Sequence, residues 1–500
     1  MLDFLKKKNN QEAKSGAGGK AVKKSKAEIN RENKEHCIEF TMKKTGWDRK
    51  KAEQEIKLAK ERTGIKYREY ERFHFYKVPA EDQEKVYKEK KAEREFLKKR
   101  KKACIRAIAQ ATGWDEEYAK EQMETSMKEV GCRSYEYDYF GYFDMTLEEQ
   151  KEAHARYLKS REGRAAKRAK DREKCIDTIM EAKGCDHETA AAEYDDAVAR
   201  TGCRPDEYLE YEFYNLTPEK QDSILLLSHI KKIRKAINFD RFWYRVFKFK
   251  DKTNELLADY TKRKWCVSTE VSFEEFRDLF ANSKKVFYKA YDSFGGKGAK
   301  AFELNDDNIK DVYDEIQSMG KGMVEEFVVQ HHVMNEMSPT AVNTIRIVSM
   351  ASDEPINEDG DHFKIAWATL KMGGATGCVD NLRGGGVGAA VDLDTGTLCT
   401  DAVSDAGKTI YQNHPVTGTK IKGFKIPFFK EAVDMVREIV ETKHVGGYIG
   451  WDVAITEDGP MLIEGNAIPG PTLLVLPYWA TEGRGMKDYM QDQVKYFCEL

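Results

Sequence analysis

No stretch of this sequence approaches the roughly 18–20 consecutive apolar residues that a membrane-spanning helix requires, and the first residues, MLDFLKKKNN, carry no apolar run of signal-peptide length. The expectation is a cytoplasmic protein without a transmembrane segment. Cys-x-x-Cys is absent although the chain holds 10 cysteines, which argues against a zinc ribbon, a thioredoxin motif or a disulfide scaffold and for reduced thiols. Net charge is nearly absent too: 84 Lys and Arg oppose 86 Asp and Glu, leaving −2. A chain so balanced is not a general polyanion binder, and nucleic acid is not an expected partner. Apolar residues are scarce at 40% of 500 residues, below the usual share of about 45–50%. That length calls for more than one domain.

What the sequence does contain is a repeat. Cys37-Ile38, Cys104-Ile105 and Cys175-Ile176 recur after 67 and then 71 residues, each followed at fixed distances by a glycine (Gly46, Gly113, Gly184) and a second glycine (Gly64, Gly131, Gly202). Glu-Tyr pairs (Glu69-Tyr70, Glu136-Tyr137, Glu207-Tyr208), aromatic pairs (Phe75-Tyr76, Tyr142-Phe143, Phe213-Tyr214) and glutamines (Gln83, Gln150, Gln221) keep the same register. Asp48, Asp115 and Asp186 stand where helix N-caps are needed after a glycine terminator. Each unit therefore reads as helices joined by an aromatic elbow, and residues 31–235 as an all-α array of three units of about 70 residues (37–103, 104–174 and 175–235). The aromatics offer either a stacking surface or, more simply, the core of each unit. Residues 1–30 hold eight lysines against Asp3, Glu12 and Glu28 and read as a disordered Lys-rich arm.

From about residue 236 the composition shifts to short β-branched and aromatic runs broken by glycine, which predicts an α+β domain with antiparallel sheet over 236–500 and helices near 273–281, 306–319 and 427–442. Its most informative segment is Ile449-Gly-Trp-Asp-Val-Ala-Ile-Thr-Glu-Asp-Gly-Pro-Met-Leu-Ile-Glu-Gly-Asn466. With a hairpin turn centred on Asp458, Asp452 falls opposite Glu464, and Asn466 shares their face. Adjacent carboxylates repel unless a cation intervenes, and a hard oxygen set suits Mg²⁺. A second constellation is Lys289, at the end of a predicted strand, followed by the glycine-rich Ser293-Phe-Gly-Gly-Lys-Gly298. Such a loop can wrap phosphate oxygens in its backbone N–H groups, although its spacing is not that of a Walker motif.

Together with Asp251-Lys-Thr253, Val324-Glu-Glu-Phe-Val-Val-Gln-His331, Val342-Asn-Thr-Ile-Arg346 and Asp380-Asn-Leu-Arg-Gly-Gly-Gly386, these motifs resemble the ATP-grasp superfamily, and within it the sugar-transfer-associated ATP-grasp group. The resemblance covers the C-terminal half only. It implies an ADP-forming carboxylate–amine ligase using ATP and Mg²⁺, with small-molecule carboxylate and amine substrates that are sugar-linked, peptidic or precursors of a surface polymer. It further implies that Lys252 and Lys289 contact phosphates beneath a loop of Gly295, Gly296, Lys297 and Gly298. Glu325, Glu326, Phe327 and Val328 would form the adenine hinge, with Gln330 or His331 near the ribose. Arg346 would stabilise transferring phosphate, Asn381 and Arg383 would face the acceptor, and Asp452, Glu464 and Asn466 would hold the metal. The alternatives are a peptide-modifying ligase whose repeats bind a protein or peptide partner, and a kinase-type phosphotransferase. Three helical repeats stand where the better-known ligases carry an α/β domain.

Overall fold

The computed structural model describes residues 25–237, 241–290, 298–374, 380, 382–404 and 409–500. Most of the expected Lys-rich arm, residues 1–24, lies outside them. The chain divides into two compact units, Met1–Lys102 and Ala103–Leu500. The first contains α1 (Lys26–Thr45), α2 (Arg49–Thr63), α3 (Tyr67–Arg72) and the beginning of α4 (Gln83–Thr112). Helix α1 starts inside the stretch read as an arm because Ser25 and Glu28 form a capping box: Ser25 N–H donates to Glu28 Oε2 at 2.8 Å, and Glu28 N–H returns to Ser25 Oγ at 3.2 Å. The second unit opens with α5 (Glu116–Glu129), α6 (Ser134–Tyr139), α7 (Leu147–Lys183), α8 (His187–Thr201), α9 (Pro205–Glu210), α10 (Pro218–Asp222) and α11 (Leu227–Ala236).

The signals read from sequence act locally as their chemistry demands. Asp48, Asp115 and Asp186 each accept a 2.8 Å bond from the backbone N–H three residues on. At the elbows, His74, Gly141 and Glu212 adopt left-handed backbone with φ of 52°, 65° and 51°, turning the chain so that the next ring points inward. Gln150 spans its elbow, donating to Tyr142 O at 2.9 Å and Met145 O at 3.0 Å. Gln221 does the same to Phe213 O at 2.9 Å and Leu216 O at 3.4 Å. The rings themselves (Tyr70, Phe75, Tyr137, Tyr142, Tyr208, Phe213) are at most 2% exposed. These six are core, the simpler of the two readings, while the second ring of each aromatic pair, Tyr76, Phe143 and Tyr214, is half-buried.

After α12 (Arg241–Val246), α13 (Lys250–Leu256) and α14 (Ala258–Thr261) come two antiparallel sheets. The smaller has the order β1-β4-β2-β3, built from β1 (Trp265–Val267), β2 (Lys285–Ala290), β3 (Ala299–Glu303) and β4 (Gly322–Glu326). It is packed on α15 (Phe273–Phe280) and α16 (Ile309–Ser318) through Phe276, Phe280, Val312 and Ile316. A short α17 (His332–Met337) leads into the larger sheet. Its strands are β5 (Thr344–Ala351), β6 (Phe363–Met372), β7 (Val387–Val391), β8 (Ala402–Ser404), β9 (Thr409–Tyr411), β10 (Gly447–Thr456) and β11 (Gly459–Asn466), in the order β11-β10-β5-β6-β7-β8-β9. Helix α18 (Phe429–Lys443) precedes the final hairpin, and α19 (Thr472–Glu482) and α20 (Lys487–Val494) close the chain. The helices expected near 273, 306 and 427 are thus α15, α16 and α18. Among the described residues no helix is long and apolar enough to cross a membrane.

Alternation along β5 and β10 gives the larger sheet two different faces. Ile345, Ile347, Trp451 and Val453 face one way, into a core with Val436 and Ile439 of α18 and with Trp243. Val348, Met350, Trp367 and Tyr448 face the other way and share a core with Cys175, Tyr208, Phe213, Leu226 and Ile230. The helices from Cys175 onward therefore cover the sheet, and Tyr211 extends the contact with its ring 6.3 Å from that of Trp479. A fragment beginning at residue 241 would expose this apolar face. It is expected to lose cooperative thermal unfolding and to bind a hydrophobic dye that the full chain excludes; a cooperative, dye-silent fragment would show that the helices contribute little to the sheet's stability.

Candidate active site

The strands that carry the apolar face place a polar cluster at its other end. Asp452 of β10 pairs across the ladder with Glu464 of β11 on one side and with Arg346 of β5 on the other. The expected partner of Asp452 is therefore the observed one, but it arises differently. The hairpin turn is the two-residue Glu457-Asp458, with Thr456 opposite Gly459. Left regular, that register would set Asp452 against Ile463 and turn Glu464 to the opposite face. A β-bulge between Asp452 and Val453 shifts the ladder by one residue, so Glu464 and Asn466 come round to the face of Asp452. Gly450, opposite Asn466, leaves room for the arginine: a Cβ there would stand 3.0 Å from Arg346 Cδ and 2.9 Å from Pro469 Cβ.

Asp452 is 2% exposed and carries a charge that three neighbours address. Arg346 Nε donates to Oδ1 at 2.6 Å and Nη2 to Oδ2 at 2.9 Å, a bidentate pair. Lys371 Nζ lies 3.2 Å from Oδ2, and Asn466 Nδ2 lies 3.3 Å from both Asp452 Oδ2 and Glu464 Oε1. Lys371 also approaches Asp380 Oδ1 at 3.5 Å, and Thr344 Oγ1 donates to the other oxygen of Asp380. Burial alone would raise the Asp452 pKa; the attraction of Arg346 and Lys371 outweighs it and holds the carboxyl well below the ordinary range. Burial likewise pulls Lys371 down, while Asp380 and Asp452 lift it to a net rise. Lys371 carried no motif in the sequence. The only signal was its position two residues beyond Thr369, the residue paired with Arg346, which puts it on the same face.

A second buried network surrounds Lys289. Its Nζ lies 2.5 Å from Glu325 Oε2, and the other Glu325 oxygen accepts from Asn254 Nδ2 at 2.7 Å and Arg263 Nη2 at 3.1 Å. Burial would raise the Glu325 pKa, but Lys289 and Arg263 hold it well below the carboxylate range. Glu325, expected in the hinge, thus turns its charge toward Lys289. Glu326 accepts a 2.7 Å bond from Ser283 Oγ, Phe327 packs near Phe287 under Lys285 Nζ at 4.5 Å, Val328 is half-buried, and Val329 is 76% exposed.

The remaining candidates are dispersed. Lys252 pairs with Glu255 at 2.8 Å and lines a hollow with Trp265 and Val267 of the β1 edge. Gln330 is occupied as a backbone clamp, donating to Ser338 O at 2.9 Å and accepting from Asn343 N–H at 2.9 Å. His331 caps α17, its Nδ1 accepting from Val333 N–H at 3.1 Å, and its Nε2 lies 3.5 Å from Glu457 Oε2. The tautomer that caps the helix carries its proton on Nε2, so the trio His331, His332 and Glu457 is a hydrogen-bonded latch rather than a set of free metal donors. Gly298, just before β3, has φ of 71°. Gly295, Gly296, Lys297 and Asn381 lie outside the described residues, as does the side chain of Arg383.

The buried pair has a stability consequence with a definite sign. Because the folded Asp452 pKa is depressed, its contribution is complete above the unfolded carboxyl value of about 4 and is lost as pH falls below it. Asp452→Asn leaves Arg346 and Lys371 without their shared anion, an expected cost of about 3–5 kcal/mol. Denaturant unfolding between pH 7 and pH 3 should show a lower plateau and a flatter acid limb in the variant; equal plateaus would mean the cations find other partners.

Among curated proteins, none matches this chain. Solved structures similar to it include D-alanyl-alanine synthetase A from Vibrio cholerae (11% identity, 51% of this chain and 65% of that one, TM-score 0.31). Another is D-alanine–D-alanine ligase from Bacillus anthracis (12%, 51% and 67%, TM-score 0.29). A third is the ATP-grasp ligase PsnB complexed with a phosphomimetic variant of its minimal precursor, Mg and ADP (12%, 45% and 52%, TM-score 0.26). The chain thus spans about 65% of the length of the first of these. Residues 273–481, which include Lys289, Glu325 and the Asp452 cluster but not Asn254 or Arg263, match the family described as sugar-transfer associated ATP-grasp, and the C-terminal part of this chain is an ATP-grasp domain.

Proposed function

We propose that the chain is an ATP- and Mg²⁺-dependent carboxylate–amine ligase that forms an amide through an acyl-phosphate. The substrate carboxylate attacks the γ-phosphorus and ADP leaves. The amine then attacks the acyl carbon, phosphate leaves, and the ammonium that forms gives up its proton. A carboxylate is a poor electrophile, so the phosphoryl group supplies the leaving group, and the protein positions reactants and offsets charge. The observation that carries this reading is the Asp452–Glu464–Asn466 set beside the buried Arg346. The donor set fits a hard divalent cation: the Asn466 amide N–H₂ lies between two carboxylate oxygens, where positive charge is favoured. Asp452, Glu464 and Asn466 would hold the ion, which would neutralise phosphate charge. Arg346, fixed on its strand by Asp452, would face the transferring phosphoryl group. Lys289, oriented by Glu325, and Lys252 would take phosphate oxygens under Gly295, Gly296, Lys297 and Gly298. Phe327 and Val328 would border the adenine, and Asn381 and Arg383 the acceptor.

In the same reading, residues 31–235 make three repeated helical units ahead of a catalytic domain spanning 236–500. The amide forms on an amino-acid-bearing sugar, a surface-polymer precursor or a small peptide. The test is nucleotide release with ATP, Mg²⁺ and paired carboxylates and amines. ADP appearing with particular pairs, and lost at least 100-fold in Asp452→Asn with Glu464→Gln, is the expected result. AMP would mean adenylation, ADP with a phosphorylated acceptor would mean a kinase, and full activity in the double variant would remove the metal assignment.

A further inference from the structure

The bulge that sets Glu464 beside Asp452 leaves backbone groups that the ladder cannot pair. Asp452 pairs with Glu464 and Val453 with Leu462, so Ile463 has no partner in β10. One side chain meets this irregularity. Arg263 Nη1 donates to Leu462 O at 2.8 Å, and Nη2 donates to Ile463 O at 3.1 Å. The same Nη2 lies 3.1 Å from Glu325 Oε1, whose partner oxygen holds Lys289. The arginine reaches this position because Lys262 takes left-handed backbone with φ of 49° as the C-cap of α14, turning the following residue inward. Its side chain is 4% exposed.

We infer that Arg263 is a positioning residue that couples the phosphate-side lysine to the carboxylate set. At one end it stabilises the bulge and so keeps Glu464 on the face of Asp452; at the other it fixes the carboxylate that orients Lys289. The inference rests on the nucleotide reading above. Arginine suits the task because its planar fork serves several acceptors in fixed directions. A lysine would keep the charge but could not hold two successive carbonyls and a carboxylate in one geometry. Loss of the link therefore affects both ends together, whereas a purely structural arginine would affect neither once the protein had folded.

The test measures ATP affinity of the full chain across a Mg²⁺ titration, with thermal melting as the folding control. In Arg263→Lys, ATP affinity should fall at least about tenfold and the Mg²⁺ midpoint should rise by a similar factor, the scale on which groups behind metal ligands act. Glu325→Gln, which cuts the link at the Lys289 end, should weaken ATP binding and also raise the Mg²⁺ midpoint more than twofold. That second variant tests the link from its other end even if Arg263→Lys does not fold. A folded Arg263→Lys with both quantities within twofold of the wild type would overturn the coupling alone, as would Glu325→Gln shifting neither quantity or ATP affinity only. Failure of the wild type to bind ATP at any Mg²⁺ concentration would overturn the nucleotide reading and this inference with it.

Discussion

A buried carboxylate in contact with two cations is the constraint around which the ATP-grasp domain is arranged. Asp452 cannot remain ionised at 2% exposure without compensation, and Arg346 and Lys371 supply it from the next two strands of the sheet. Each partner adds a requirement. Arg346 needs the space over Gly450. Lys371 needs a second anion, provided by Asp380, which Thr344 steadies in turn. The order β11-β10-β5-β6 brings these residues together, and side-chain alternation assigns the same strands an apolar surface farther along.

That apolar surface explains why helices precede the domain. Val348, Trp367 and Tyr448 are covered by helices that start at Cys175, so the polar cluster lies on the same face of the sheet as a dry core. Low local dielectric strengthens each charge contact and penalises each unpaired group. The smaller sheet obeys the same constraint: Glu325 is nearly fully buried and both of its oxygens are taken by Lys289, Arg263 and Asn254. Two compensated buried anions, one in each sheet, are linked through a single arginine and the backbone of β11.

Much of this was legible in the sequence because it depends on local chemistry. Caps at Asp48, Asp115 and Asp186, burial of the elbow aromatics and helices near 273, 306 and 427 follow from propensity and spacing, which act within a few residues. The hairpin pairing of Asp452 with Glu464 was legible as well, although a turn centred one way and a bulge acting the other way reach the same result. What could not be read is long-range. Nothing in the sequence around Lys371 or Arg263 marks them, since the contacts that tie them to the cluster, with Asp452 and Ile463, span 81 and 200 residues. Glu325 sits in the stretch that the resemblance reads as a hinge, and only the fold reveals that its side chain meets Lys289, Arg263 and Asn254.

The most direct test of the account is the paramagnetic relaxation of water protons by Mn²⁺, substituted for Mg²⁺, as ATP is titrated into the full chain and into Asp452→Asn with Glu464→Gln. The account predicts an enhanced signal when wild-type protein, Mn²⁺ and ATP are present together, and its loss in the folded double variant. An undiminished enhancement in that variant would place the metal–nucleotide complex elsewhere and contradict the assignment of this sheet face as the active site.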